Sequence, residues 1–230
     1  MALRLTPYGR RELVLATILL AALAGGGAYL ARTHWAWLAV TAVAAAVWVW
    51  VISFFRDPDR DTPTGEGLFI SPADGCVADI TPLGPDSPLG RAGVQVGVFM
   101  SVFDVHVNRA PCDGVVTAVA HEAGAFLDAR DPAASQRNES ATITLSHPHG
   151  DRYYPIVFRQ IAGLVARRIV TDLRPAQNVR RGQRMGMIKF GSRVELLVPE
   201  ELAGQVRVQV GQRVRAGQTI LVATESSNNE

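Results

Sequence analysis

The sequence predicts an N-terminal transmembrane α-helical hairpin followed by a β-rich, barrel-sandwich-like domain. Two long uncharged apolar runs near the N-terminus predict the hairpin. Short runs rich in valine and isoleucine, separated by glycine and proline, predict the β-rich domain. The third observation is an internal repeat of the kind that forms paired turns in barrel-sandwich folds: Val179-Arg180-Arg181-Gly182-Gln183 resembles Val214-Arg215-Ala216-Gly217-Gln218.

The composition limits the number of domains and the partners that we expect. The chain has 230 residues, enough for one domain and an appendage, and its net charge of +2 does not indicate a nucleic-acid partner. The two cysteines, Cys76 and Cys112, have neither Cys-x-x-Cys nor Cys/His metal-ligand spacing. We therefore expect two buried or half-buried thiols and no metal site.

The hairpin is predicted to cover residues 1–56, with membrane spans at about 13–31 and 35–55. Each span is close to the roughly 20 apolar residues that cross a bilayer. The connection between them is short, so the two helices should be antiparallel. All four tryptophans lie near the ends of the second span, where indole rings prefer the membrane interface.

Positively charged residues predict the orientation of the hairpin. Three arginines precede the first span and two follow the second, whereas the connecting loop has only Arg32. Because cytoplasmic segments carry an excess of positive residues, both termini, and with them the domain at 57–230, are expected on the cytoplasmic side of the cell membrane. A re-entrant or interfacial hairpin, which the glycines at 25–27 favour, and a cleaved signal sequence remain alternatives.

Seven runs of the second domain are predicted to be strands, at 68–70, 76–80, 94–100, 115–120, 141–145, 154–158 and 206–210. The internal repeat also leaves open a non-catalytic, membrane-anchored carrier or adaptor module. A carrier would present a lysine at the tip of a hairpin, and an adaptor would usually contain a long heptad repeat. The sequence has neither, which disfavours this alternative.

The dipeptide Gly191-Ser192 stands between two strand-like runs. Glycine has no Cβ, so its carbonyl can be approached closely and its backbone can adopt strained geometry. A serine hydroxyl held against that carbonyl can attack its own peptide bond, and elimination from the resulting ester leaves a dehydroalanine that becomes a pyruvoyl group with loss of ammonia. Taken alone, the dipeptide is more typical of a turn or bulge.

Five segments in family order resemble the short (type A) form of phosphatidylserine decarboxylase. They cover most of the chain after residue 50, and they are specific together although each is weak alone. The segments are Phe55-Arg56-Asp57-Pro58, Ser71-Pro72-Ala73-Asp74-Gly75, Phe103-Asp104-Val105-His106-Val107-Asn108-Arg109-Ala110-Pro111, Arg159-Gln160-Ile161-Ala162-Gly163 and Phe190-Gly191-Ser192.

This resemblance implies a pyruvoyl-dependent enzyme that decarboxylates phosphatidylserine to phosphatidylethanolamine and CO2. It implies self-cleavage between Gly191 and Ser192 into a β chain of 1–191 and an α chain of 192–230, which stay together. The pyruvoyl group formed from Ser192 would bind the substrate amine as a Schiff base, without a metal or pyridoxal phosphate. The substrate lies in the bilayer, which accounts for the hairpin, and a homo-oligomer is left open.

The resemblance also implies roles for two further residues. Asp74 occupies the position of the family's acid/base aspartate, which helps to activate Ser192; by itself its Pro-Ala-Asp-Gly context is typical of a turn. His106 corresponds to a family histidine and is the favoured proton donor in decarboxylation, because an imidazole takes and returns protons near neutral pH.

Arg109 departs from the pattern of the long-form relatives, which have a second histidine there. Arginine stays charged and is not a proton shuttle, so the base that starts self-cleavage stays undecided between His106 and Asp74. Arg109 can instead bind the lipid phosphate, or form an ion pair with Asp104. His121 lies in a segment that the short form shares and is a secondary substrate-binding candidate. A pyruvoyl decarboxylase of another amino-acid-derived substrate is the remaining catalytic alternative.

Overall fold

The computed structural model describes residues 4–131, 133–164, 168–189 and 191–224. The chain forms two compact units, Met1–Asp59 and Arg60–Glu230. The N-terminal unit contains the helices and the C-terminal unit contains the strands. An apolar helical hairpin followed by a curled antiparallel β domain is the predicted fold class, which is thereby confirmed.

The N-terminal unit consists of a 3-10 turn at Pro7–Gly9, α1 (Arg10–Leu30) and α2 (Trp37–Phe54). Both helices are long and apolar enough to cross a membrane, with mean hydropathies of 2.1 and 2.0. The helices run antiparallel, because Trp48 donates to Thr17 near one end while Thr41 donates to the carbonyl of Ala24 near the other. Such interhelical hydrogen bonds stabilise a hairpin in lipid.

The C-terminal unit contains fourteen strands and a short helix in its described residues. The strands are β1 (Leu68–Ile70), β2 (Gly75–Leu83), β3 (Gly93–Met100), β4 (Val107–Arg109), β5 (Gly114–Glu122), β6 (Ser140–His149), β7 (Arg152–Ile161), β8 (Ile169–Thr171), β9 (Asn178–Val179), β10 (Arg184–Ile188), β11 (Ser192–Pro199), β12 (Gln205–Val206), β13 (Arg213–Val214) and β14 (Ile220–Ala223). The helix is α3 (Ala134–Arg137), and a 3-10 turn covers Glu200–Leu202.

The strands form one large and two small antiparallel sheets. The large sheet has the order β13-β2-β3-β11-β7-β6-β5-β9, and the small sheets have the orders β4-β10-β8 and β1-β14-β12. Alternate side chains of β11 face the main core, and among them Val194, Leu196 and Val198 are fully buried. Strand β11 lies between β3 and β7; its first residue, Ser192, pairs with Met100 of β3, and the pairing with β7 begins at Arg193.

The internal repeat forms two matching turns, one between β9 and β10 and one between β13 and β14. Gly182 has φ +79° and Gly217 has φ +78°, a left-handed conformation that favours glycine. In each turn the glutamine N–H donates to the carbonyl three residues earlier. The strand predicted at 206–210 is shorter than predicted, because β12 ends at Val206; a similar turn around Gly211 (φ +88°) follows a few residues later.

Candidate active site

Gly191 and Ser192 lie where the chain enters the central strand of the large sheet. Gly191 has φ +58°, which costs an L-residue with a Cβ roughly 1–2 kcal/mol. Ser192 pairs with Met100 of β3 and is completely buried. Its hydroxyl lies 3.4 Å from the Met100 sulfur, a weak acceptor. Phe190, the other member of this motif, lies outside the described residues.

Gly163 packs directly against the carbonyl group of Gly191. A Cβ built on Gly163 would lie 2.2 Å from Gly191 O and 3.1 Å from Gly191 C, distances that only a glycine avoids. The segment after β7 therefore fixes the position of the carbonyl that the Ser192 hydroxyl would attack. Positioning a reacting carbonyl beside its nucleophile is a large part of what a catalytic site supplies.

A buried pair of amide side chains lies on the same core face as Ser192. Gln160 Nε2 donates to Asn108 Oδ1 at 2.8 Å, and Asn108 Nδ2 makes long contacts of 3.4 Å to Pro72 O and 3.9 Å to Met100 Sδ. Gln160 and Asn108 are 1% and 0% exposed. Met100 thus contacts both Ser192 and Asn108, and it joins the amide pair to the serine.

Asp74 lies immediately before β2, held by two strong hydrogen bonds. Arg60 Nη2 donates to its carboxylate at 2.7 Å, and the Ala216 N–H donates at 2.7 Å. Burial raises the pKa of Asp74 above 3.8, although the Arg60 charge opposes this shift. Strand β2 is two strands from β11, roughly 10 Å at the usual spacing. In the part of the chain that the structure describes, the Asp74 carboxylate accepts hydrogen bonds from Arg60 and Ala216, and neither bond is to Ser192.

His106 lies in the connection from β3 to β4, six residues after Met100. Its ring is completely buried, and Nδ1 lies 2.9 Å from the carbonyl of Asp104. The Asp104 carboxylate accepts from the N–H and hydroxyl of Ser101, both at 2.8 Å, and forms an ion pair with Arg213 at 2.6 Å. This turn therefore holds the His106 ring in one orientation, with the hydrogen on Nδ1.

Comparisons with known proteins agree with the motifs at this site. A sequence model of the family described as phosphatidylserine decarboxylase matches residues 48–222. The chain belongs to the phosphatidylserine decarboxylase family. Two similar relatives are each named phosphatidylserine decarboxylase proenzyme. The one from Paramagnetospirillum magneticum (strain ATCC 700264 / AMB-1) is 46% identical over 181 residues, 77% of this chain and 73% of the relative. The one from Cereibacter sphaeroides (strain ATCC 17025 / ATH 2.4.3) is 46% identical over 182 residues, which cover 78% of this chain and 76% of the relative. The family resemblance predicted from the sequence is confirmed.

The other predicted site residues of this phosphatidylserine decarboxylase family member lie in different surroundings. Arg109 is buried in β4; it donates to Gly182 O at 3.1 Å, and its side chain passes close to Gly217, so it contacts both turns of the internal repeat. His121 is exposed on β5, which β6 and β7 separate from β11. Their substrate-binding roles stay predictions.

A ladder of alternating charges, which was not predicted from the sequence, crosses the large sheet just after the predicted cut. Arg193 bonds Glu195 at 2.8 Å and Asp79 at 2.5 Å, and Glu195 is also 3.3 Å from Arg159. Gly97 lies between them, where a Cβ would meet the Arg193 guanidinium and the Asp79 carboxylate. Glu195 is 0% exposed. Charged residues alternating with apolar ones in a central strand were the available signal.

Asn108 and Gln160 were likewise not predicted as site residues, although both lie in the motifs given above. Gln160 stands between Phe158 and Ala162, at a position that faces the core. Among the described residues, no three His, Cys, Asp or Glu side chains lie together as a metal site. Cys112 is buried and Cys76 half-buried, both as free thiols.

Proposed function

We propose that the chain is a proenzyme that cuts itself between Gly191 and Ser192 and then decarboxylates phosphatidylserine to phosphatidylethanolamine. The observation that carries the proposal is the junction itself. A fully buried serine follows a glycine at φ +58°, and Gly163 packs against the glycine carbonyl. Family membership supports the same reading, since both relatives are named as proenzymes.

Self-cleavage is a rearrangement of the chain's own atoms. The Ser192 hydroxyl oxygen bonds to the Gly191 carbonyl carbon, the C–N bond breaks, and the nitrogen takes the hydroxyl proton to become an amine. Loss of the Ser192 Cα proton then expels Gly191 as a carboxylate and leaves a dehydroalanine. Water hydrolyses its imine tautomer, releases ammonia and leaves the pyruvoyl group. The net change is one water consumed and one ammonia released.

The surroundings of Ser192 suit a pyruvoyl group. Ser192 is completely buried beside Met100 of β3, and the neighbouring Asn108 and Gln160 are buried as well. When present, this group supplies a ketone that takes the substrate amine and accepts the electron pair released with CO2. His106, oriented by the Asp104 carbonyl, is assigned as the proton donor to the decarboxylated carbon.

The two chains are expected to stay together after the cut. Ser192–Pro199 pairs with β3 on one side, and residues 193–197 pair with β7 on the other. Strands β13 and β14 of the same α chain pair with β2 and β1. Two ladder contacts, Arg193–Asp79 and Glu195–Arg159, also join an α-chain residue to a β-chain residue. These contacts do not depend on the broken peptide bond.

The hairpin is proposed to hold the catalytic domain at the cytoplasmic face of the membrane. Phosphatidylserine has two acyl chains and stays in the bilayer, so the enzyme must work at its surface. Arg10 and Arg11 at the start of α1 and Arg56 after α2 support cytoplasmic termini. Protease added outside intact cells should leave the catalytic domain uncut; digestion from outside would overturn this orientation.

Release of CO2 from two carboxyl-labelled substrates tests the activity. Full-length protein in vesicles should release CO2 from phosphatidylserine and not from free serine. Ser192→Ala, which removes the attacking hydroxyl, should release none. Equal release from free serine would favour a pyruvoyl decarboxylase of another substrate. Release by Ser192→Ala would contradict the proposed mechanism.

A further inference from the structure

The amide pair Asn108–Gln160 is incompletely hydrogen-bonded although it lies in the protein interior. Among the described residues, Gln160 Oε1 is buried and has no hydrogen-bond partner. If both amides are rotated to exchange oxygen and nitrogen, one end of Gln160 still lacks a partner. A buried polar atom without a partner costs roughly 1–3 kcal/mol. Such atoms in a native fold call for an explanation, and function is one.

Packing alone does not account for an amide at position 160. Phe158 of β7 and Ala162, just after the strand, face the same way and are buried and apolar, and the residue of β11 that pairs with Gln160 is Val194. An apolar residue of similar size would fill this space. The hydrogen bond between Gln160 and Asn108 does not explain the two amides either. If apolar residues replaced both, donor and acceptor would be removed together and no buried polar group would be left unpaired.

The register of the sheet brings this amide close to Ser192. Gln160 pairs with Val194, and Ser192 lies two residues earlier on the same face of β11. Such diagonal neighbours are about 7–8 Å apart between Cα atoms, within reach of a long side chain. The acceptor that Ser192 contacts, Met100 Sδ at 3.4 Å, also contacts Asn108 Nδ2. The Ser192 hydroxyl, which has only a weak acceptor, and Gln160 Oε1, which has no donor, therefore lie in the same buried cluster.

We propose that Gln160 orients the Ser192 hydroxyl for self-cleavage, and that Asn108 holds Gln160 in place. When the hydroxyl turns from the Met100 sulfur, Gln160 Oε1 accepts its hydrogen bond, which directs an oxygen lone pair at the Gly191 carbonyl. Gln160 takes no proton, since an amide is not a base at neutral pH. The inference rests on the proposed self-cleavage and adds two residues to it.

The test is the double variant Asn108→Leu/Gln160→Met, made in the full-length chain. Self-cleavage is followed over time by intact mass, and we expect it to slow by about 100-fold or more, the usual loss when an aligned catalytic hydrogen bond is removed. Stability is measured by urea unfolding of the same double variant carrying Ser192→Ala, so that all molecules are uncut. We expect an equal or higher urea midpoint, because Pro72 O still accepts from the Arg109 N–H at 2.9 Å.

Gln177→Met is the matched control, because Gln177 Oε1 accepts from the Arg174 N–H in a turn outside this cluster. It should cut at the parent rate. A double variant that cuts at the parent rate, or one whose urea midpoint falls with the cutting rate, would overturn the assignment. Failure of the parent chain itself to cut would instead refute the proposed function.

Hydroxylamine separates the attack from the later elimination, because it cleaves an ester without a base. If Gln160 orients the attacking hydroxyl, no ester accumulates in the double variant, and hydroxylamine leaves its cutting slow. Restoration of cutting by hydroxylamine would place the defect after the attack and contradict the proposal.

Discussion

The substitution Gly163→Ala tests whether the position of the Gly191 carbonyl controls self-cleavage. The added methyl group would lie 2.2 Å from Gly191 O and 3.3 Å from the Ala129 Cβ. Real Cβ contacts below 3.0 Å essentially never occur, so either the glycine carbonyl or the segment after β7 must move by about 1 Å. No flexible side-chain end is available to give way, since the atom that clashes is backbone.

The size of this movement sets the expected effect. A misplacement of about 1 Å in a catalytic geometry can cost about 100-fold in rate, so Gly163→Ala should cut at least that much more slowly. Overpacking should also lower the stability by roughly 1–3 kcal/mol, which a folded domain of this size can tolerate. The loss of cutting should therefore exceed what partial unfolding explains.

Cutting is measured by intact mass against time, and stability by urea unfolding in the Ser192→Ala background. Gly84→Ala is the matched control, because a Cβ there meets nothing within 4 Å, and it should cut at the parent rate. A folded Gly163→Ala protein that cuts as fast as the parent would refute the reasoning, since the carbonyl would not be held where the structure places it.

Three other predictions concern charged and titrating residues. Glu195→Ala removes one of the two acidic partners of the buried Arg193, which keeps Asp79, and should lower the free energy of unfolding in urea by about 1.5–3 kcal/mol. Glu201→Ala, which breaks an exposed pair, should lower it by less than about 1 kcal/mol, and equal costs would contradict the buried ladder. Burial lowers the pKa of His147, so the unfolded chain takes up a proton at a higher pH than the folded chain, and the free energy of unfolding should fall as the pH drops below 6.5. His147→Gln should make the free energy of unfolding depend less on pH in this range, and an unchanged dependence would contradict the prediction. If Asp74 is the base in self-cleavage, its raised pKa predicts a cleavage rate that rises with pH above 3.8, and Asp74→Asn should abolish this rise. An Asp74→Asn protein whose cleavage rate depends on pH as in the parent would favour His106 as the base.

Features set by local sequence could be predicted from the sequence. The hairpin follows from two apolar runs of membrane-spanning length, and α1 and α2 form there. The repeat gave matching turns because Gly182 and Gly217 each adopt a left-handed conformation that the local sequence favours. Ser192 is predicted as the cleavage residue from its own dipeptide within a family motif, and the structure places it at the start of β11.

Features that depend on strand pairing could not be predicted. Gly163 lies against Gly191 because β7 pairs with β11, and the ladder forms because β2, β3, β11 and β7 are neighbours. A single sequence does not specify which distant strands pair or in which register. For the same reason, the sequence placed Asp74 with Ser192 through a family motif alone, whereas the structure adds its bonds to Arg60 and Ala216.

The most direct test of the central claim is the intact mass of the purified full-length protein under denaturing conditions. Self-cleavage predicts two chains that break between Gly191 and Ser192, with the α chain lighter by one ammonia than a chain starting with free serine. Ser192→Ala should give a single uncut mass. A parent protein that remains one chain while folded and active on phosphatidylserine would contradict the account.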